Sequence, residues 1–199
     1  MTYEAARNGG TDGGPVFFTF HGTGGNEQQF HSIAQDLRPD ARVVSPRGNV
    51  SEMGALRYFR RMAEGMYDMA DLAQRQAAMA EFLTAEKGDA SEAIALGYSN
   101  GANIMAAVAF ERPQIMDRMV LMHPLVPWDP APQPGLKGRS ILVTAGERDP
   151  ICPKPMTESL VDYLKAQGAE VSVHWHPGGH EIAQSELEAV VQFVKPVKA

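Results

Sequence analysis

The chain has 199 residues, of which 44% are hydrophobic and 21% charged, enough for one domain with a sizeable buried core. Eighteen Lys and Arg against 24 Asp and Glu leave a net charge of −6, which argues against a general nucleic-acid binder. Cys152 is the only cysteine, so an intrachain disulfide is excluded and an oxidising compartment is not implied. Met1 to Gly14 lacks the basic-then-apolar pattern of a signal peptide, and no segment approaches the run of ~18 apolar residues that spans a bilayer. A cytoplasmic protein without a membrane span is expected, and a homodimer is left open.

Met1 to Gly14 holds at most one short edge strand, and its Gly-rich half from Gly9 reads as a turn. Val16–Phe20 is an apolar strand that ends in His21-Gly22-Thr23-Gly24-Gly25-Asn26. A Gly-rich loop after a strand can turn backbone N–H groups toward a developing alkoxide. No Gly-Lys-Ser/Thr follows, so a phosphate-binding loop of the Walker type is not indicated. His21 at the strand end reads as a loop prop rather than a base. A helix over Glu27–Leu37 and a strand over Arg42–Ser45 follow. Asn49 to Asp71 then breaks the strand–helix rhythm, with Tyr58, Phe59 and Met62 among its apolar residues and Arg57, Arg60 and Arg61 interleaved. It follows a strand's carboxyl end, where α/β sheets bind ligands. A partial lid and a Met-rich packing segment fit the pattern equally. The three arginines read as a solvated face.

A helix over Ala70–Lys87 leads to the short apolar strand Ala93–Leu96, and then to Gly97-Tyr98-Ser99-Asn100-Gly101 and a helix over Asn100–Glu111. A serine between a buried strand and a helix sits on a sharp turn with its Oγ raised above the sheet edge, and flanking glycines permit the close approach of strand and helix. Arg118–Met122 is a strand ending at His123, which reads as a packing histidine. Pro124 to Gly135 carries five prolines and Trp128, the pattern of a stiff loop and a candidate pocket wall. Ser140–Thr144 is a strand whose apolar run reaches Gly146 and meets Glu147-Arg148-Asp149-Pro150. Cys152, close behind, reads as an incidental or structural thiol. A helix over Met156–Gln167, a strand over Val171–Trp175, the turn Pro177-Gly178-Gly179-His180-Glu181 and a helix over Glu181–Val194 complete the chain. His174 and His176 alternate on one strand, but no third ligand stands at a recognisable spacing, so no metal site is expected. Strands alternating with helices imply a mostly parallel sheet with helices on both faces, and there is no room for a cap domain.

Ser99, Asp149 and His180 each follow a predicted strand, so all three can meet at one sheet edge. A serine hydroxyl is a weak nucleophile at neutral pH; a histidine that takes its proton, oriented by a carboxylate, makes it reactive. The order Ser, Asp, His is that of the α/β-hydrolases.

His21-Gly22-Thr23-Gly24, Gly97-Tyr98-Ser99-Asn100-Gly101, Gly146-Glu147-Arg148-Asp149 and Gly178-Gly179-His180-Glu181 resemble the phospholipase/carboxylesterase branch of the α/β-hydrolases, which includes acyl-protein thioesterases and is related to dienelactone hydrolase. Ser45-Pro46-Arg47-Gly48 and Arg57-Tyr58-Phe59-Arg60-Arg61 are more similar to its small bacterial carboxylesterases. The resemblance runs from about Val16 to the C-terminus. It implies Ser99, Asp149 and His180 as a catalytic triad, with the Thr23 and Asn100 N–H groups as oxyanion donors. A serine stands where true dienelactone hydrolases carry a nucleophilic cysteine. Thr23 stands where the thioesterases carry a larger apolar residue. The expected activity is hydrolysis of small to medium acyl esters through an acyl-enzyme, without cofactor or metal, with Tyr58, Phe59, Met62 and Trp128 as candidate pocket residues. An acyl-protein thioesterase or lysophospholipase is the nearest alternative. A ligand-binding protein without turnover is a more distant one.

Overall fold

The computed structural model describes residues 3–11 and 13–196. Eleven strands, five α-helices and two short 3-10 helices are formed among them. Seven strands build the central sheet: β1 (Ala5–Arg7), β2 (Val16–Phe20), β3 (Arg42–Pro46), β8 (Ala93–Tyr98), β9 (Arg118–Met122), β10 (Ser140–Gly146) and β11 (Glu170–His176). Their order is β1-β3-β2-β8-β9-β10-β11. β1 pairs antiparallel with β3, and the other neighbours are parallel. β1 is the expected short edge strand; Met1, Thr2 and Asp12 of that N-terminal stretch lie outside the described residues.

The central strands are near-continuous apolar runs because both faces are covered. Alternate residues serve opposite faces. Phe18, Ala95, Leu121 and Val143 pack against α2 (Met69–Lys87), α3 (Asn100–Glu111) and α4 (Lys154–Ala166). Phe17, Ile94, Val120 and Leu142 pack against α1 (His31–Leu37) and α5 (Gln184–Val194). No helix among the described residues is long and apolar enough to cross a membrane.

Register brings the loops that carry the candidate site residues together. Phe20 pairs with Gly97, Tyr98 with Met122, Met122 with Thr144, and Gly146 with His176. The carboxyl ends of five parallel strands therefore share one edge, and the segments starting at His21, Ser99, His123, Glu147 and Pro177 all leave from it.

Three stretches depart from the expected elements. Residues 27–30 form turns instead of the first turn of α1. α5 begins at Gln184 rather than Glu181, because the Glu186 carboxylate accepts the Ala183 N–H at 2.7 Å and caps the helix there. The irregular stretch after β3 is two antiparallel hairpins, β4 (Val50–Glu52) with β5 (Ala55–Arg57), and β6 (Arg61–Ala63) with β7 (Met66–Tyr67).

Candidate active site

Ser99 sits between β8 and α3 with φ 52° and ψ −118°, a conformation that L-residues adopt only under constraint, at a cost of about 1–3 kcal/mol. The constraint is visible in the glycines around it. A Cβ on Gly97 would lie 2.7 Å from the Gly101 carbonyl, and a Cβ on Gly101 would lie 2.5 Å from the Phe20 and His21 carbonyl oxygens. The strand and helix thus touch backbone to backbone. The Ser99 N–H donates to the Met122 carbonyl at 2.8 Å, and its own carbonyl accepts the Asn103 N–H at 2.9 Å.

The strained turn points Ser99 Oγ at His180. Nε2 of His180 lies 2.9 Å from Ser99 Oγ, and Nδ1 lies 2.7 Å from Oδ2 of Asp149. An ionised carboxylate only accepts, so the neutral ring carries its proton on Nδ1 and presents a bare Nε2 to the hydroxyl. Asp149 is buried and held at both oxygens. Oδ1 accepts the N–H groups of Ile151 at 2.8 Å and Cys152 at 2.9 Å; Oδ2 also faces Nδ1 of His123 at 2.9 Å. Burial pushes this carboxyl up, but the Cys152 N–H, His123, His180 and the Ile151 N–H together hold it below the usual range. Glu147, by contrast, is half-exposed and reaches only Lys154 Nζ at 3.4 Å. Tyr98 steadies His180 from below, donating its hydroxyl to the His180 carbonyl at 2.7 Å, with the two rings 5.5 Å apart.

Thr23 and Asn100 both border the cavity at Ser99. Asn100 opens α3, so its N–H is one of those a helix leaves without an internal partner, at the positive end of the helix dipole. The Asn100 side chain accepts the Tyr58 N–H at 2.8 Å, and Arg57 Nη1 donates to the Thr23 hydroxyl at 2.8 Å. His21 is turned away from the serine. Its Nδ1 meets the Gly22 carbonyl at 2.7 Å and its Nε2 accepts the Gly48 N–H at 2.8 Å, which ties the Gly-rich loop to the segment after β3.

The cavity holds about 260 Å³. Its outer wall comes from the hairpins, through Arg57, Arg61, Glu64 and Tyr67. The four expected pocket residues lie elsewhere. Tyr58 and Phe59 are fully buried in the core: the Tyr58 hydroxyl donates to the Pro46 carbonyl at 2.8 Å, and Phe59 packs edge-on against Tyr67. Met62 is 75% exposed, because the β6–β7 hairpin turns it outward. Trp128 borders a second cavity with Met156, Leu160 and Tyr163. The arginines also depart from expectation. Only Arg60 is solvated; Arg57 is buried beside Glu52, and Arg61 pairs with Glu52 and Glu64.

His123, read from the sequence as packing, is part of a buried polar set. One ring nitrogen faces Asp149 at 2.9 Å and the other faces Glu186 Oε1 at 3.0 Å. Glu186 Oε2 lies 3.2 Å from His176 Nε2. One signal for this set was present in the sequence. Glu186, Val190 and Val194, four residues apart, form one buried face of α5, which puts a carboxylate on an apolar stripe.

Two groupings among the described residues are compact enough for an ion, His123–Asp149–His180 and His123–His176–Glu186. Their protons do not suit one. Asp149 Oδ2 lies between two imidazole nitrogens, and His176 Nδ1 accepts the Gly178 N–H at 3.1 Å. That second bond leaves the His176 proton on Nε2, where a metal would need a lone pair. Cys152 adjoins the site with its Sγ 3.2 Å from the His123 carbonyl, and burial pushes its thiol well up, so it stays protonated.

Comparison with known proteins agrees with this architecture. In Agrobacterium tumefaciens a solved protein of unknown function is 48% identical and superposes with a TM-score of 0.92, over 96% of this chain and 95% of that one. A Bacillus cereus carboxylesterase is 36% identical, with a TM-score of 0.87 over 96% and 92% of the two chains. The putative hydrolase MhqD of Bacillus subtilis is 37% identical over 184 residues, 90% of this chain and 92% of that one. The protein is an α/β-hydrolase of the dienelactone hydrolase and carboxylesterase type. The model of the dienelactone hydrolase family matches residues 51–192, a span that holds the elbow serine, the buried aspartate and the loop histidine, and the chain belongs to that family.

Proposed function

We propose that the protein is a serine carboxylesterase that hydrolyses small to medium acyl esters through an acyl-enzyme. The observation that carries this reading is the unbroken Ser99–His180–Asp149 chain at 2.9 and 2.7 Å, opening into a cavity. Ser99 Oγ attacks the ester carbonyl carbon as His180 Nε2 takes its proton, and Asp149 stabilises the imidazolium so formed. The carbonyl oxygen becomes an oxyanion, held by the N–H groups of Thr23 and Asn100; removing one such donor typically costs about 10²–10³-fold in rate. His180 returns its proton to the leaving alkoxide, the acyl group stays on Ser99, and water activated by His180 releases the acid.

Similarity to a Bacillus cereus carboxylesterase supports an ester as substrate, and so does a serine where dienelactone hydrolases carry cysteine. The modest cavity, with Arg57, Arg61 and Glu64 in its wall, supports a short acyl group. In this reading 1–199 is one catalytic domain and the hairpins of residues 49–71 are a partial lid. The test is covalent labelling with a fluorophosphonate, followed by peptide mass mapping. We expect one adduct on Ser99, and no adduct with loss of esterase activity in Ser99→Ala. An adduct at another serine, or a fully active Ser99→Ala, would overturn the proposal.

A further inference from the structure

His123 is the one residue at this sheet edge that is strained, buried and flanked by two carboxylates. Its φ of 49° places a non-glycine residue in the left-handed region, as at Ser99 on the neighbouring strand end. Such strain persists only where the surroundings enforce it, and it gathers at functional sites. The imidazole is fully buried, with Nδ1 2.9 Å from Asp149 and Nε2 3.0 Å from Glu186. The Nδ1 contact is a hydrogen bond. The Nε2–Oε1 contact is off-line for one, and neither atom has another hydrogen-bond partner among the described residues. Carboxylates offer no proton of their own when ionised, so a ring between two of them is best matched when both nitrogens carry a proton.

From these contacts we propose that His123 is a positioning residue, held as an imidazolium between Asp149 and Glu186, that pins Asp149 and sets a positive charge beside the His180 ring. This rests on the serine-esterase reading above. The rings of His123 and His180 are 5.1 Å apart, and both nitrogens that face Asp149 meet the same oxygen, Oδ2. Two positively charged rings sharing that one oxygen would repel each other. The other titratable groups around His123 do not cancel that charge. Tyr98 and Cys152 stay protonated, because burial raises both. His176 turns its proton-bearing Nε2 toward Glu186, and Glu181 is engaged by the Gly179 N–H. Burial alone would lower His123, but Glu186 and then Asp149 outweigh it and hold the imidazole above the usual histidine range.

The test has two arms on the full chain. First, ¹⁵N NMR of the histidine rings between pH 5.5 and 8 follows protonation without reference to turnover, roughly the window where ordinary histidines titrate. We expect both His123 nitrogens protonated throughout in the wild type, and His123 titrating inside the window in Glu186→Gln. A wild-type His123 with one bare nitrogen, or a Glu186→Gln ring unchanged, would overturn the proposal. Second, His123→Asn keeps a side-chain N–H near Asp149, tolerates the left-handed backbone and removes the charge. Its kcat/KM profile for an activated ester should have an acid limb displaced to higher pH by about one to two units. A limb that stays in place while only kcat or Tm falls would mean a packing role and sink the idea. Failure of the serine reading is distinguishable: Ser99 would then escape fluorophosphonate while the NMR arm still reports on His123.

Discussion

Replacing Asp149 by Asn tests whether this carboxylate sets the proton on His180, and the structure fixes how the amide must sit. The Oδ1 position receives two backbone N–H groups, from Ile151 and Cys152. Turning the amide NH₂ toward them would leave two buried donors unsatisfied, at about 1–3 kcal/mol each. The amide oxygen therefore stays on that side and the NH₂ takes the place of Oδ2, facing His180 Nδ1. It donates where the carboxylate accepted, so Nδ1 must become the acceptor and the proton moves to Nε2. A protonated Nε2 cannot take the Ser99 proton. We expect kcat to fall by about 10⁴-fold, roughly 5 kcal/mol of lost barrier lowering. The assay is steady-state hydrolysis of p-nitrophenyl acetate, with circular dichroism to show that the fold survives. Glu147→Gln is the control; at its half-exposed position beside Lys154 it should change kcat by less than about twofold. An Asp149→Asn enzyme within tenfold of wild type, or a Glu147→Gln enzyme that loses as much, would refute this reasoning.

Ser99→Gly should raise Tm while abolishing turnover, because glycine relieves a backbone strain of about 1–3 kcal/mol; a lower Tm in a melting curve would contradict the strained-turn reading. Glu186 is buried, which raises its carboxyl, yet contacts led by His123 hold it below its ordinary value of 4.5. Its stabilisation is thus full above that value and is lost as pH falls through the lower folded one. His123, held above 6.5, contributes fully below that value and loses its share as pH rises through the higher folded one. The Tm advantage of wild type over Glu186→Gln should therefore be largest between about pH 5 and 6.5 and shrink on both sides; thermal melts across pH that show a constant difference would count against it. For acyl chain length, each methylene in a dry pocket adds roughly 0.8 kcal/mol, but the cavity is small and partly walled by charge. We expect kcat/KM to flatten or fall from butyrate onward in a p-nitrophenyl ester series below micelle concentrations, whereas a steady rise to dodecanoate would point to a longer channel.

The strands that lead into the candidate site were legible because they are apolar on both faces: the bounds of Val16–Phe20 and Arg118–Met122 agree with the observed strands. So was the meeting of Ser99, His180 and Asp149, since each follows a strand of a parallel sheet. The pocket wall was not. Tyr58 and Phe59 look like lid residues in a polar segment, but the bend between the two hairpins turns them into the core and leaves Arg57 and Arg61 at the cavity. A two-residue bend between strands of two or three residues gives no periodicity to read. His123 was missed for another reason. Its partner Glu186 is 63 positions away on α5, and only the packing of that helix against β10 and β11 brings the two together.

The central claim is that Ser99 becomes acylated during turnover. Rapid mixing with p-nitrophenyl acetate, acid quench and intact-protein mass spectrometry measures this directly. The account predicts one acetyl group per chain at early times, mapped to Ser99, absent in Ser99→Ala and accumulating ahead of steady-state release. Turnover with no acetylated chain, or acetyl carried by Cys152 or by any residue other than Ser99, would contradict it.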